Sequence, residues 1–324
     1  MKKILVCGAG GFIGNHLVNF LKLDKNNYVI GVDLKLPKYN ISQADEFYII
    51  DLRNQQQIHK LYEYRFHEIY QLAADMGGAG YVFTGTNDAN IMHNSMQINL
   101  NILKLMVDKK IPKVFYSSSA CMYPEINQID PNNPNCVENS AYPAQPDSEY
   151  GWEKLFSERL YLNFAKNYKL DVRIARFHNI FGPKGSWNNG KEKAPAALCR
   201  KVIQSNGIVE VWGTGEQTRS FLFIDECIEG IHKIMQSSYT KPINLGSTRK
   251  ISINELVKLI AKINNKSITL KHIEGPIGVM GRVSDNNLIQ EVTGWVPKEN
   301  LEYGLQQTYN WILEQINHNQ SDHE

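Results

Sequence analysis

The 324-residue chain carries 35 lysines and arginines against 33 aspartates and glutamates, with the small basic excess spread along its length. That distribution speaks against nucleic acid or a membrane surface as the main partner and leaves room for a small anionic ligand held by a few placed cations. The length suits one large lobe with a smaller one packed on it.

Five scattered cysteines, Cys7, Cys121, Cys136, Cys199 and Cys227, are odd in number and include no CxxC pair. They fit a reduced, cytoplasmic protein rather than a disulfide frame, and no metal site is expected. The opening MKKILVCGAG has the outline of a leader peptide, but its apolar run ILV ends in glycines too soon for secretion, and Val6 is a poor residue before a lipidated cysteine. No stretch approaches the ~20 apolar residues of a membrane helix.

In chain order, the strand-like run KILVCG precedes a helical pattern over Phe12–Leu23. YVIGVD and EFYIID follow as strands, then a helix over Gln55–Tyr64, the strand EIYQLA, a helix over Ile91–Asp108, the strand KVFYSSS, a helix over Glu149–Tyr168 and the strand DVRIARF. Continuous β-branched runs alternating with helices predict an α/β fold, a doubly wound parallel Rossmann sheet covered on both faces. Beyond Asn179 the pattern turns irregular: GPKGSWNNGKEKAP reads as loop, Ala196–Gln204 as helix and IVEVWG as a short strand. PINLGS (Pro242–Ser247) returns to the sheet before helices over Ile253–Ile263 and Tyr303–Ile316, and the tail HNQSDHE reads as disordered. The expected lobes are therefore 1–178 plus 219–247, and a smaller α/β lobe of 179–218 plus 248–324.

Gly8, Gly11 and Gly14 form GAGGFIG between the first strand and its helix. Glycines there allow a tight turn and let backbone approach a pyrophosphate, whose charge the helix N-terminus favours. Asp33 ends the second strand, placed to bind both hydroxyls of an adenosine ribose and to repel a 2′-phosphate, so the expected cofactor is NAD rather than NADP. Asp51, expected at the end of the third strand, is assigned to the adenine. Phe12 and Ile13, which open the helix, and Leu72, Ala73 and Ala74, at the end of the fourth strand, are assigned to the same cofactor site. A plain turn with Asp33 as a strand cap is the competing reading, and the βαβ context outweighs it.

Tyr150 and Lys154, four apart in YGWEK, share one helix face. An ammonium near a phenol lowers its pKa and makes it a usable proton acceptor, and Ser119 can hydrogen-bond the same alcohol, so hydride removal onto nicotinamide becomes feasible. At this point the chain resembles the extended short-chain dehydrogenase/reductases from end to end. The resemblance implies an NAD-binding Rossmann domain, a smaller domain for a nucleotide sugar, and a homodimer packed through helices near residues 91–108 and 149–168.

Further blocks narrow it: LAADMGGAGY, SSACMYPE, RFHNIFGPKGSW with GKEKAPAALCRK, GEQTRSFLFIDECIEG and GRVSDNNLI. They are similar to the GDP-mannose 3,5-epimerase family. C3 and C5 hydrogens of a hexose become acidic only when C4 is a ketone, so transient oxidation at C4 would precede epimerisation, and NAD would be retained unchanged overall. Inversion needs a base on one face of the ring and an acid on the other. Cys121 and Lys193 match the family's acid/base positions; each alone would read as a core thiol and a solvated loop lysine. Free thiols and lysines titrate near about 8.5 and about 10.4, and sharing one site would depress the thiol.

The resemblance further assigns Lys201, Arg219 and Arg282 to the diphosphate and sugar, with Gly78, Ser118, Asn179, Glu192, Ala194 and Gln217 lining the substrate. The family's GGMG is GGAG here, with Ala79 leaving room for a bulkier substituent at C6.

Rival readings within the fold are a GDP-fucose-synthase-like epimerase/reductase, which uses histidine where Lys193 stands and NADPH, a 4,6-dehydratase, a plain 4-epimerase, and a GDP-heptose 4-oxidoreductase/epimerase. A catalytically silent NAD-sensing protein is the reading from another class, disfavoured by the intact Ser119, Tyr150 and Lys154.

Overall fold

The computed structural model describes residues 1–298 and 300–321. Strands β1 (Lys2–Cys7), β2 (Asn27–Asp33), β3 (Glu46–Ile49), β4 (Glu68–Gln71), β5 (Lys113–Ser119) and β6 (Asp171–Phe177) come first. They are followed by β7 (Ile180–Phe181), β8 (Ile208–Trp212), β9 (Thr218–Ser220), β10 (Leu222–Phe223), β11 (Pro242–Leu245), β12 (Lys250–Ser252), β13 (Thr269–Ile273) and β14 (Gly281–Arg282). The helices are α1 (Phe12–Leu21), α2 (Gln55–Ile58), α3 (Ala79–Val82), α4 (Asp88–Lys109), α5 (Glu149–Tyr168), α6 (Ala194–Gln204), α7 (Ile224–Gln236), α8 (Ile253–Ile263), α9 (Asn287–Thr293) and α10 (Leu301–Ser321).

Seven strands form one parallel sheet in the order β11-β6-β5-β4-β1-β2-β3. This is the doubly wound Rossmann arrangement expected from the strand runs. The chain winds outward from β1 to β3 and then crosses back to β4, so a crevice opens above the carboxyl ends of β1 and β4. Alternation along β1 explains why its sequence is apolar throughout: Ile4 and Val6 enter one core, Leu5 and Cys7 the other, and all four are fully buried. Leu17 and Val18 of α1 and Ile231 of α7 cover the first face, while Ile102 and Met106 of α4 and Tyr161 of α5 cover the second.

Beyond β6 the chain builds three small sheets, β10-β7, β12-β9-β14 and β13-β8. Helices α6, α8 and α10 pack there through Leu198, Val202, Leu256, Ile260, Leu305 and Ile312, in a core continuous with one face of the large sheet. Ser252 starts α8 with a reciprocal capping box to Glu255, and Pro195 in the first turn of α6 has the φ a helix start requires.

Three local expectations change. The helix expected over Gln55–Tyr64 ends at Ile58 and continues as a tighter 3-10 turn over His59–Glu63, which keeps Leu61 buried beside Ile58. Asp51 does not end β3, which stops at Ile49, but sits in the turn after it. The tail expected to be disordered is helical through Ser321, because Ile316 still packs on the core and anchors the last turns of α10; 322–324 lie outside the described residues. No helix among the described residues is long and apolar enough to cross a membrane.

Candidate active site

The cofactor end is built by the β1–α1 turn. Gly8 has φ +80°, and a Cβ on Gly14 would stand 2.0 Å from the Gly8 carbonyl oxygen, so both positions require glycine for α1 to start against the strand. Gly11 caps α1 without a side chain, and no acidic residue occupies the first turn. The Phe12 and Ile13 amides are thus presented with the positive end of the helix, which suits a pyrophosphate.

Asp33 leaves β2 with Oδ2 accepting from the Gly10 amide at 3.0 Å and Oδ1 from the Leu34 amide at 2.7 Å. Burial raises its pKa while those amides oppose the shift. Its orientation is fixed against the glycine turn, as a ribose-binding carboxylate requires. Leu72, Ala73 and Ala74 follow β4 beside Gly8, with the Leu72 amide bonded to the Cys7 carbonyl at 3.2 Å. These features fit a bound dinucleotide. Asp51, assigned to the adenine, is engaged by Arg53 at 2.7 Å, which lowers its pKa.

A cavity of about 580 Å³ opens beside the carboxyl end of β5, within the size range of a nucleotide-sugar site. Ser119, Cys121, Tyr150, Lys193, Arg219 and Arg282 all line it, although they come from five separate stretches of chain. Ser119 ends β5 and its Oγ accepts from the Cys121 amide at 3.2 Å, which starts the 3-10 turn carrying the thiol. Ser148 caps α5 by accepting from the Gly151 amide at 3.2 Å, placing Tyr150 in the first turn. A Cβ on Gly151 would stand 2.2 Å from the Cys121 carbonyl oxygen. The glycine after the tyrosine therefore lets α5 press against the cysteine turn and brings Tyr150 and Cys121 into one cavity.

Lys154 shares the helix face with Tyr150, but its Nζ lies 5.6 Å from the Tyr150 ring centroid and donates to the Ser117 carbonyl at 3.2 Å and the Tyr116 hydroxyl at 3.4 Å. The buried Glu153 carboxylate is 3.7 Å away. The expected lowering of the Tyr150 pKa is not what these contacts produce. Burial pushes the phenol upward, helped by the Cys121 and Glu153 charges, with the Ser119 hydroxyl and Arg282 pulling the other way.

Lys193 precedes α6, and no hydrogen bond or ion pair holds its ammonium among the described residues. Burial lowers its pKa, opposed by Cys121. An ammonium made easier to deprotonate near a thiol is a usable acid/base couple.

Arg282 lines the cavity and is also held from within the protein. Its Nη1 donates to Cys121 Sγ at 3.0 Å, its Nη2 to Asp147 Oδ2 at 2.8 Å and its Nε to Gln128 Oε1 at 2.5 Å. These bonds place the guanidinium at the cysteine end of the cavity. Arg219 donates to the Ile277 and Val279 carbonyls and still lines the cavity; burial and then Arg282 pull its pKa down to about 10.

Ser118, assigned to the substrate, is not among the residues that line the cavity. Its Oγ donates to Glu158 Oε1 at 2.5 Å on the buried face of β5, because strand alternation sends it away from Ser117 and Ser119. The remaining assigned residues reach the cavity: Gly78, Asn179, Glu192, Ala194, Lys201 and Gln217 line it together with Ala79. Glu192 is held by Arg200 at 3.1 Å, and Lys201 donates to the Glu210 carbonyl at 2.8 Å beside Trp212. Asp147 and Gln128 carry no sequence signal, since one precedes a helix cap and the other ends a short 3-10 turn over Glu125–Gln128.

The family described as "NAD dependent epimerase/dehydratase family" matches residues 4–246. GDP-mannose 3,5-epimerase of Arabidopsis thaliana is 44% identical over 97% of this chain and 83% of its own. GDP-mannose 3,5-epimerase 1 of Oryza sativa subsp. indica is 42% identical over 97% and 82%. The crystal structure of UDP-glucose 4-epimerase from Thermotoga maritima, solved with UDP-glucose, superposes with a TM-score of 0.83 at 23% identity, covering 97% of this chain and all of that one, which establishes the shared fold. The chain belongs to the NAD dependent epimerase/dehydratase family and, within it, to the GDP-mannose 3,5-epimerases.

Proposed function

We propose that this protein inverts C3 and C5 of GDP-mannose, forming GDP-L-galactose and GDP-L-gulose, through transient oxidation at C4 with tightly bound NAD. The observation that carries the proposal is the convergence of Ser119, Cys121, Tyr150 and Lys193 on one cavity. NAD would be held by Gly8, Gly11, Phe12, Ile13, Gly14 and Asp33, with Tyr150 and Lys154 at its nicotinamide end; when bound it supplies the acceptor for the C4 hydrogen and, oxidised, a positive charge beside the Tyr150 phenol.

Tyr150 takes the proton of the C4 hydroxyl while Ser119 hydrogen-bonds the same oxygen. Lys154, fixed on the Ser117 carbonyl, adds positive charge over the Tyr150 ring. The C4 ketone then acidifies the neighbouring C–H bonds, and Cys121 and Lys193 remove and replace protons at C3 and C5. Tyr150 finally returns its proton to the C4 oxygen. Lys201 and Arg219 supply cationic donors for the diphosphate, and Gly78, Asn179, Glu192, Ala194 and Gln217 surround the sugar.

The lobe of 1–178 plus 219–247 is assigned to the cofactor and that of 179–218 plus 248–324 to the nucleotide sugar. A homodimer through α4 and α5 is supported by exposed Leu100, Trp152 and Phe156 on those helices. A cytoplasmic location is supported by five cysteines that are all free.

Incubation with GDP-mannose in heavy water, followed by NMR, tests the reading. Deuterium at both C3 and C5 without added cofactor is expected. Loss of the C6 oxygen would mean a dehydratase, turnover only with NADPH would mean the synthase, and exchange only on a GDP-heptose would move the substrate.

A further inference from the structure

Arg282 is 4% exposed, yet each of its three guanidinium nitrogens is committed, and its partners come from three separate segments of the chain. Gln128 is fully buried, and its Nε2 donates to the Tyr123 and Pro124 carbonyls at 3.0 and 3.2 Å. Those two bonds fix the amide so that its oxygen faces Arg282 Nε. Asp147 forms a buried ion pair with Nη2, both side chains being about 5% exposed, and its other oxygen accepts from Ser148, the cap of α5. With two corners pinned, the planar guanidinium has one orientation, and its remaining corner points at Cys121 Sγ.

We propose that Asp147 and Gln128 are positioning residues that hold Arg282 against Cys121, so that its sulfur is set to remove the proton while Lys193 delivers one. This rests on the reading of Cys121 as the proton-exchanging group and adds to it which partner starts as base. The step balances: the C–H electron pair passes into the enolate of the C4 ketone, sulfur takes the proton, and the Lys193 ammonium gives one to the opposite face of the carbon. Exchange with water resets both groups and admits solvent deuterium.

The charged and titratable groups facing Cys121 are Arg282, Arg219, Lys193, Tyr150, Asp147 and Cys136. Their signs give the test its direction. Removing Asp147 deletes an anion near the thiol, which by charge alone would lower the thiol's titration midpoint. Releasing the guanidinium would raise it, because a cation in contact favours the thiolate.

The experiment is the rate of Cys121 alkylation by iodoacetamide against pH in the full-length protein, with the modified site identified by mass spectrometry. The other four cysteines are buried. In Asp147→Ala the midpoint is expected to rise by about one pH unit, kcat for deuterium wash-in to fall by about tenfold or more with a smaller change in KM, and Asp147→Glu to restore part of both. A midpoint that stays put or falls overturns the proposal. Should Asp147→Ala not fold, Gln128→Leu is judged by the same midpoint. Cys121→Ala separates the two levels: retained wash-in at C3 and C5 overturns the role of Cys121 itself, whereas lost wash-in with an unmoved alkylation midpoint in Asp147→Ala overturns only the positioning.

Discussion

Gly78 lies so close to the Glu192 carbonyl that a Cβ on the glycine would stand 2.1 Å from that oxygen, and the Gly78 amide bonds the neighbouring Lys191 carbonyl at 3.0 Å. The loop before α3 and the loop before α6 thus meet backbone to backbone, and the residue after the contact is Lys193. Gly78→Ala is expected to push Lys193 out of register and lower kcat about a hundredfold, with bound NAD retained. Wash-in kinetics and the NAD released on denaturation check both halves.

Lys193 sets a pH dependence. In its proposed role the protonated form is the acid, and burial destabilises that form, so the ammonium loses its proton below the ordinary lysine value of 10.5. Activity is therefore expected to fall as pH rises through a limb placed below 10.5. A pH profile of wash-in kcat measures it, and a profile flat up to that value would contradict the assignment.

His178 is fully buried and bonded to Asn244 at 3.0 Å, and burial pulls its pKa from 6.5 down to about 3. Its folded pKa is depressed, so the stability it contributes is whole above 6.5 and is lost as pH falls toward about 3. Within that window the unfolded chain binds a proton that the folded one does not, at about 1.4 kcal/mol per pH unit. Calorimetry should show the wild-type Tm dropping more steeply than that of His178→Gln between these two limits.

Trp152 and Phe156 are 40% and 49% exposed on α5. If they pack in a homodimer, light scattering gives twice 37.0 kDa for the wild type, and Phe156→Glu shifts the mass to the monomer. A wild type found as monomer at micromolar concentration would contradict the proposed dimer.

The sequence carries the parallel sheet plainly, because strands buried on both faces read as unbroken runs such as KILVCG. Tyr150 and Lys154 were legible for a similar reason, since helical spacing fixes a shared face. What Lys154 bonds was not, because its partners Ser117 and Tyr116 sit on a strand that only the tertiary fold brings near. The placement of Ser118 is legible in the same way: period two on β5 puts Ser117 and Ser119 on one face and Ser118 on the other. Asp147 and Gln128 were out of reach, as both acquire meaning only from the arginine that arrives more than a hundred positions later.

The central claim is that C4 gives up and recovers the same hydrogen while C3 and C5 exchange theirs with solvent. GDP-mannose deuterated at C4 and incubated in ordinary water tests it directly, with NMR of the recovered sugars. The account predicts that C4 keeps its deuterium in every epimer, since that atom never reaches water. Loss of the C4 label at the rate of epimerisation would contradict it.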